Sequence, residues 1–218
     1  MKLYKYLRTG LKSESGKCEW KLGEWKHEDK VEACSAGFHC SETPLQALGY
    51  VGGEILAEVE VRGLSDIKTD KQCWSDMRIV KAYHWTKEDS VALAIYSAEL
   101  VINIYEKKYP NDDRPRKAIE AAKQYLKTPT KDAADAAYAA AHAAHAAYAA
   151  HAAYAAVYAA YAAYAAYAAA YAASDAAVYA ANAASDAASD AANAARKDLV
   201  NKIDTWFIER IKTLKKYE

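Results

Sequence analysis

Tyr154-Ala-Ala-Val-Tyr158-Ala-Ala-Tyr161-Ala-Ala-Tyr164-Ala-Ala-Tyr167 lies in the middle of a run, Ala133 to Ala195, in which 40 of 63 residues are alanine. The inserts change along it: His142, His145 and His151 early, tyrosines from Tyr154 to Tyr171, then Ser, Asp and Asn from Ser174 on. No Gly or Pro follows Pro129. Alanine loses no side-chain entropy on entering a helix, so the tract is expected to be helical throughout. A step of three residues falls short of 3.6, so each step moves the large side chain back by roughly 60°. From Tyr138 to Tyr167 the stripe therefore circles the helix, whereas from Tyr171 to Lys197 alternating steps of three and four hold it on one side. A long helix wrapped by neighbours and an antiparallel bundle broken near Val157-Tyr158 and Ser174-Asp175 both fit, and compactness favours the bundle.

Working outward, 218 residues suffice for one large or two small domains. The 29 basic and 29 acidic residues balance, so no global charge calls for nucleic acid or an anionic membrane as partner. The opening Met1-Lys-Leu-Tyr-Lys is charged and strand-like, unlike a secretory signal, and no stretch of apolar side chains approaches a spanning helix. A soluble protein of the cytoplasm is the expectation. Cys18, Cys34, Cys40 and Cys73 are then reduced thiols. Cys34-x5-Cys40 with His39 between lacks the tight knuckle spacing and a second pair, so no metal and no cofactor is assigned.

Residues 1–85 read as an α+β domain. Lys2 to Arg8 and Cys18 to Leu22 look like strands. Thr43-Pro44 caps and opens a short helix running to about Val51. Ile55, Ala57, Val59 and Val61 alternate with Leu56, Glu58, Glu60 and Arg62, and Met77 to Trp85 repeats the period, which predicts an antiparallel strand pair. Thr86-Lys87-Glu88-Asp89 resembles a capping box opening a helix to about Lys108. Asp113-Arg114-Pro115 starts another to about Leu126, and Leu199, Ile203, Trp206, Phe207, Ile211 and Leu214 form a helical core stripe. The expected fold class is α+β: a small N-terminal mixed domain, 1–85, followed by an all-α, alanine-rich helical bundle, 86–218.

Few motifs carry chemistry. There is no Gly-rich phosphate loop, no Gly-x-Ser-x-Gly elbow and no His-Glu-x-x-His. The tyrosines fill gaps between alanine-faced helices or line a groove that stacks a planar ligand; Tyr154, Tyr158 and Tyr161 are the candidates for the latter. Arg114 and Arg116 either pair locally with the acidic turn Asn111-Asp112-Asp113 or face an anionic ligand. His39 and His84 are the candidate acid–base groups of the first domain.

The string Asp112-Asp113-Arg114-Pro115-Arg116-Lys117-Ala118-Ile119-Glu120-Ala121-Ala122, followed by an Ala/His-rich tract, resembles the immunity protein family of bacteria and their phages. Upstream, Cys34 with Gly37-Phe38-His39, then Ala57 to Gly63, Asp70-Lys71 and Arg78-Ile79-Val80 resemble a domain common in phage genomes. The resemblance implies a setting, phage or prophage conflict with bacterial defence, and transfers no catalytic residue. A weaker likeness is to ADP-ribosyltransferase-type folds. There Arg8 would be the basic residue of the first strand and Gly37-Phe38-His39-Cys40-Ser41 the Gly-Phe strand, with no counterpart of the late acidic residue.

The expected function is a non-enzymatic binding protein that counteracts a host defence system in the bacterial cytoplasm. It self-associates through alanine faces into a homo-oligomer. Its target is a host defence protein, or alternatively a nucleotide-derived immune signal held by Arg8, His39, Arg114, Arg116 and the tyrosines. An ADP-ribosyltransferase-like enzyme is the third reading.

Overall fold

The computed structural model describes residues 2–14, 18–50, 53–69, 71–100, 102–108, 110–133 and 193–217. Tyr154, Tyr158 and Tyr161, the three tract histidines and the expected helix breaks lie outside the described residues. The chain forms two units: Met1–Trp85 with Phe207–Glu218, and Thr86–Trp206.

In the first unit, strands β1 (Leu3–Leu7), β2 (Lys26–His27), β3 (Phe38–Cys40), β4 (Ile55–Ile67) and β5 (Gln72–His84) make an antiparallel sheet in the order β1-β4-β5-β2, with β3 also on β5. The alternating runs do become the β4–β5 pair, Ile55 opposite His84 and Ile67 opposite Gln72. Both strands are longer than the alternation indicated because Gly63, at φ +84°, lets β4 bulge between Arg62 and Ser65 and keep pairing. The outer edge of β5 is covered piecemeal: Cys40 to Phe38 pair with Gln72 to Trp74, His27 and Lys26 with Asp76 and Met77, Leu22 with Ile79, and Lys216 with Tyr83. Each short segment satisfies backbone groups that a bare edge would expose. Of the strand expected over Cys18 to Leu22, only single bridges at Glu19 and Leu22 form.

Ser41, just after β3, exchanges backbone hydrogen bonds with Tyr4 at 2.8 and 2.9 Å. The path β1-β4-β5-β3 therefore returns to β1, around a core of Leu3, Leu7, Leu11, Trp20, Cys40, Met77 and Ile79. Helix α1 (Pro44–Leu48) follows, with Thr43 accepting from the Gln46 amide and the Gln46 side chain returning the bond. Near the chain's end Phe207 stacks on Trp85 at 4.7 Å, and Tyr217 donates to Ala82 O at 2.9 Å.

In the second unit, α2 (Lys87–Glu99), α3 (Ile102–Lys108) and α4 (Arg114–Lys127) bury Val91, Ala94, Ile95, Ala98 and Ile102 with Ile119, Ala122 and Tyr125. The expected capping box forms between Thr86 and Asp89, but the helix it opens ends at Leu100. Helix α5 spans Asn193–Ile211; Leu199 and Ile203 are buried in this unit, and Phe207 and Ile211 are buried residues of the first.

These elements correct the expected fold class. The described residues make a five-stranded antiparallel sheet with a few short helices, and among them there is no all-helical, alanine-rich bundle. Alanine repeats express intrinsic helix propensity, which says little about packing. Among the described residues the buried apolar area is carried by aliphatic and aromatic side chains of the strands and of α2 to α4.

Candidate functional site

The sequence Leu3-Tyr-Lys-Tyr-Leu7 puts residues 3, 5 and 7 on one face of β1. Leu3 and Leu7 are in the core, so Lys5 is a lysine on the inward face of a strand. The return of the sheet path to β1 brings β3 beside it, and Lys5 Nζ donates to the His39 carbonyl at 2.9 Å. The residue keeps some exposure, but protein atoms crowd its ammonium, and this desolvation lowers its pKa. The groups nearest it in charge terms are the thiols of Cys40, Cys18 and Cys73. Burial pushes all three thiols up, Cys40 to about 12, so near neutral pH they stay protonated and offer no counter-charge.

Lys5 Nζ stands 6.0 Å from the centre of the Trp20 ring, and Lys26 Nζ of β2 stands at the same distance. Trp20 is 3% exposed, packs edge-on against Phe38 at 5.0 Å, and its Nε1–H has no acceptor among the described residues. Among those residues no carboxylate pairs with Lys5 or Lys26.

The loop leading into β3 forms a second wall. Cys34 takes φ +72° and Gly37 φ +91°. A Cβ on Gly37 would stand 2.7 Å from Cys73 Sγ and 3.1 Å from Trp74 O, so only glycine fits where the loop passes over β5. The His39 imidazole holds the turn: Nε2 accepts from the Cys34 amide at 2.9 Å and the ring also bonds to the Gly37 backbone. Burial, followed by the charges of Lys5 and Lys71, lowers the His39 pKa. Ala33 N donates to Asp66 at 2.9 Å and Cys73 Sγ donates to Ala36 O at 2.8 Å. Lys71 Nζ donates to Cys34 Sγ at 2.7 Å and lies 4.7 Å over the Tyr50 ring.

Between these walls is a cleft of about 1080 Å³, large enough for a nucleotide-sized molecule, lined by Lys5, Trp20, Lys26, His39, Tyr50 and Lys71 among others. Among the described residues neither of its carboxylates, Glu14 and Glu28, forms an ion pair with Lys5 or Lys26. Glu14 is forked by Arg8, and Glu28 is exposed.

Of the residues singled out from sequence, His39 lines this cleft and Arg8 does not. Arg114 and Arg116 belong to the second unit, where each meets a carboxylate: Arg114 meets Asp112 at 2.8 and 2.7 Å, and Arg116 meets Glu106 at 2.7 Å twice. Lys5, Lys26, Trp20 and Lys71 went unrecognised. One signal for them was in reach: within Leu3-Tyr-Lys-Tyr-Leu7, strand alternation sets Lys5 on the leucine face. Among the described residues no group of three or more His, Cys, Asp or Glu stands close enough to hold a metal ion, and no helix is long and apolar enough to cross a membrane.

No curated protein and no solved structure is similar to this chain. Residues 1–89, which include every residue lining the cleft, are similar to a family described as Domain of unknown function (DUF7666).

Proposed function

We propose that the protein is a non-enzymatic binding protein that counteracts a bacterial defence system by sequestering a nucleotide-derived immune signal in the cleft of its first unit. The observation that carries this reading is the cleft's lining: Lys5 and Lys26 without carboxylate partners among the described residues, beside the rings of Trp20 and Phe38. Such a wall complements a ligand that is planar at one end and anionic at the other. The setting, a phage or prophage protein at work in the host cytoplasm, comes from the family resemblance. Homo-oligomerisation through the alanine faces is part of the same proposal, and a monomer by light scattering at micromolar concentration would remove it.

Sequestration accounts for the cleft better than ADP-ribosyl transfer. That chemistry would need Arg8 and His39 in one cleft, free to meet a nicotinamide ribose. Arg8 is instead held by Glu14, and the His39 ring is engaged with the backbone at Cys34 and Gly37. Calorimetry of the full chain against a panel of cyclic nucleotides and NAD-derived rings tests the reading. Saturable heat with one of them, and a matching rise in melting temperature, is the expected result. A flat response to the whole panel would move the counter-defence role to a protein partner.

A further inference from the structure

Lys5 forms no ion pair among the described residues. An ammonium taken from water needs either an opposite charge or several hydrogen-bond acceptors, and a lone buried charge is costly. Among the described residues it has one carbonyl oxygen, that of His39. The titratable groups around it are the thiols of Cys18, Cys40 on β3 and Cys73 on β5, and the His39 imidazole. None of these carries negative charge near neutral pH, because burial raises the thiols and imidazole is neutral or cationic. Lys26 adds a second cation beside the same indole, and the buried Trp20 Nε1–H is a donor without an acceptor among the described residues. This stretch of wall is thus rich in donors and poor in acceptors, and it lines an open cleft.

We propose that Lys5 and Lys26, beside the Trp20 indole, form an oxyanion subsite that takes a phosphate group of the ligand. The proposal rests on the sequestration reading and adds which chemical group is recognised and by which atoms. Two ammonium groups that line one cleft, each 6.0 Å from the centre of the same ring, suit the doubled charge of a phosphate better than a single carboxylate. An anion beside Lys5 also favours its protonated form, opposing the desolvation that lowers the pKa of Lys5 in the empty cleft. Affinity therefore falls as pH rises through the pKa of Lys5, relative to a variant without that amine. Burial raises the surrounding thiols above their ordinary value, so near neutral pH they are protonated.

The test is titration of the full-length protein with pyrophosphate, with acetate as the carboxylate arm, at several pH values from about 7 to 9. Pyrophosphate is expected to bind saturably and more weakly as pH rises. Acetate is expected not to bind. Lys5→Met should weaken pyrophosphate by about tenfold or more and flatten the pH dependence, and Lys5→Arg should restore affinity. Lys26→Met, at a partly exposed position of the two-residue strand β2, should also weaken it and serves if Lys5→Met is not soluble. Unchanged affinity in Lys5→Met or Lys26→Met, or acetate binding as well as pyrophosphate, overturns the subsite. If a cyclic nucleotide binds both wild type and Lys5→Met equally, the subsite falls while sequestration stands. If pyrophosphate binds through Lys5 and the whole nucleotide panel is silent, the subsite stands and sequestration falls.

Discussion

Arg114 and Arg116 in the second unit each meet a carboxylate at two points, whereas Lys5 in the first unit meets one carbonyl oxygen and a set of protonated thiols. The arginines are partly exposed and locally matched. Arg116 and Glu106 retain 37% and 35% of their side-chain exposure. Such pairs contribute modestly to stability and leave no unmet demand for a partner. Lys5 sits where a leucine would serve the core better. A protein that keeps a cation there gives up some stability, and the common reason for such a concession is a site that binds something. The comparison teaches that guanidinium groups conspicuous in a sequence can be electrostatically complete, while one lysine inside a short apolar strand is not.

The sharpest way to break this contrast is to remove the frame that holds the cleft. Gly37→Ala must place a Cβ 2.7 Å from Cys73 Sγ at φ +91°, with Trp74 O and Lys30 O close behind. We expect a loss of about 2–3 kcal/mol in urea unfolding and loss of ligand binding with it. A change below about 0.5 kcal/mol would mean the loop relaxes freely and does not define the wall.

Lys5→Met comes next and should act in the opposite direction. Trading an unmatched ammonium for a thioether of similar length is expected to raise the melting temperature by roughly 2–5 °C while removing the anion site. The pH dependence has a definite sign. Desolvation lowers the folded-state pKa of Lys5 below that of the unfolded chain, so over that interval the unfolded state binds the extra proton. Stability therefore rises with pH through that interval, and the substitution should remove this part of the slope. Thermal melts of wild type and Lys5→Met over one series of pH values read it directly, because the thiols are common to both proteins. A Lys5→Met protein that melts lower than wild type would show that Lys5 is already matched.

The smallest effect belongs to the second unit. Arg116→Ala loses a forked but partly exposed pair with Glu106, and we expect a loss of about 0.5–1 kcal/mol with no change in ligand affinity. Weakened nucleotide binding in this variant would put the arginine back among the ligand residues and erase the distinction between the two units.

How much of this was legible in the chain differs from element to element. Thr43 with Gln46, and Thr86 with Asp89, announce helix starts because a capping box is complete within four residues. The alternation from Ile55 and from Met77 announces two strands, and their antiparallel pairing follows from the short connection between them. The length of those strands did not follow, since it depends on a bulge at Gly63 that lets the two strands keep pairing beyond the alternating run. The site was still less legible. His39 stood out as an isolated histidine beside a Gly-Phe pair, and it does line the cleft, yet its ring is engaged with the backbone of its own loop.

The sequence by itself determined what is encoded over a turn or two: the helix caps, the alternating faces of β1, β4 and β5, and the charge balance of the acidic turn before α4. It also determined that Lys5 shares a face with Leu3 and Leu7, because strand alternation needs no partner to be read. Tertiary structure alone decided that this face lies against Cys40 and Trp20. The Tyr4–Ser41 bridge spans 37 positions of chain, and Lys26 arrives through a two-residue strand paired to β5. Contacts at such separation are chosen by competition among burial, backbone hydrogen bonding and loop closure over the whole unit, and no local pattern records the outcome.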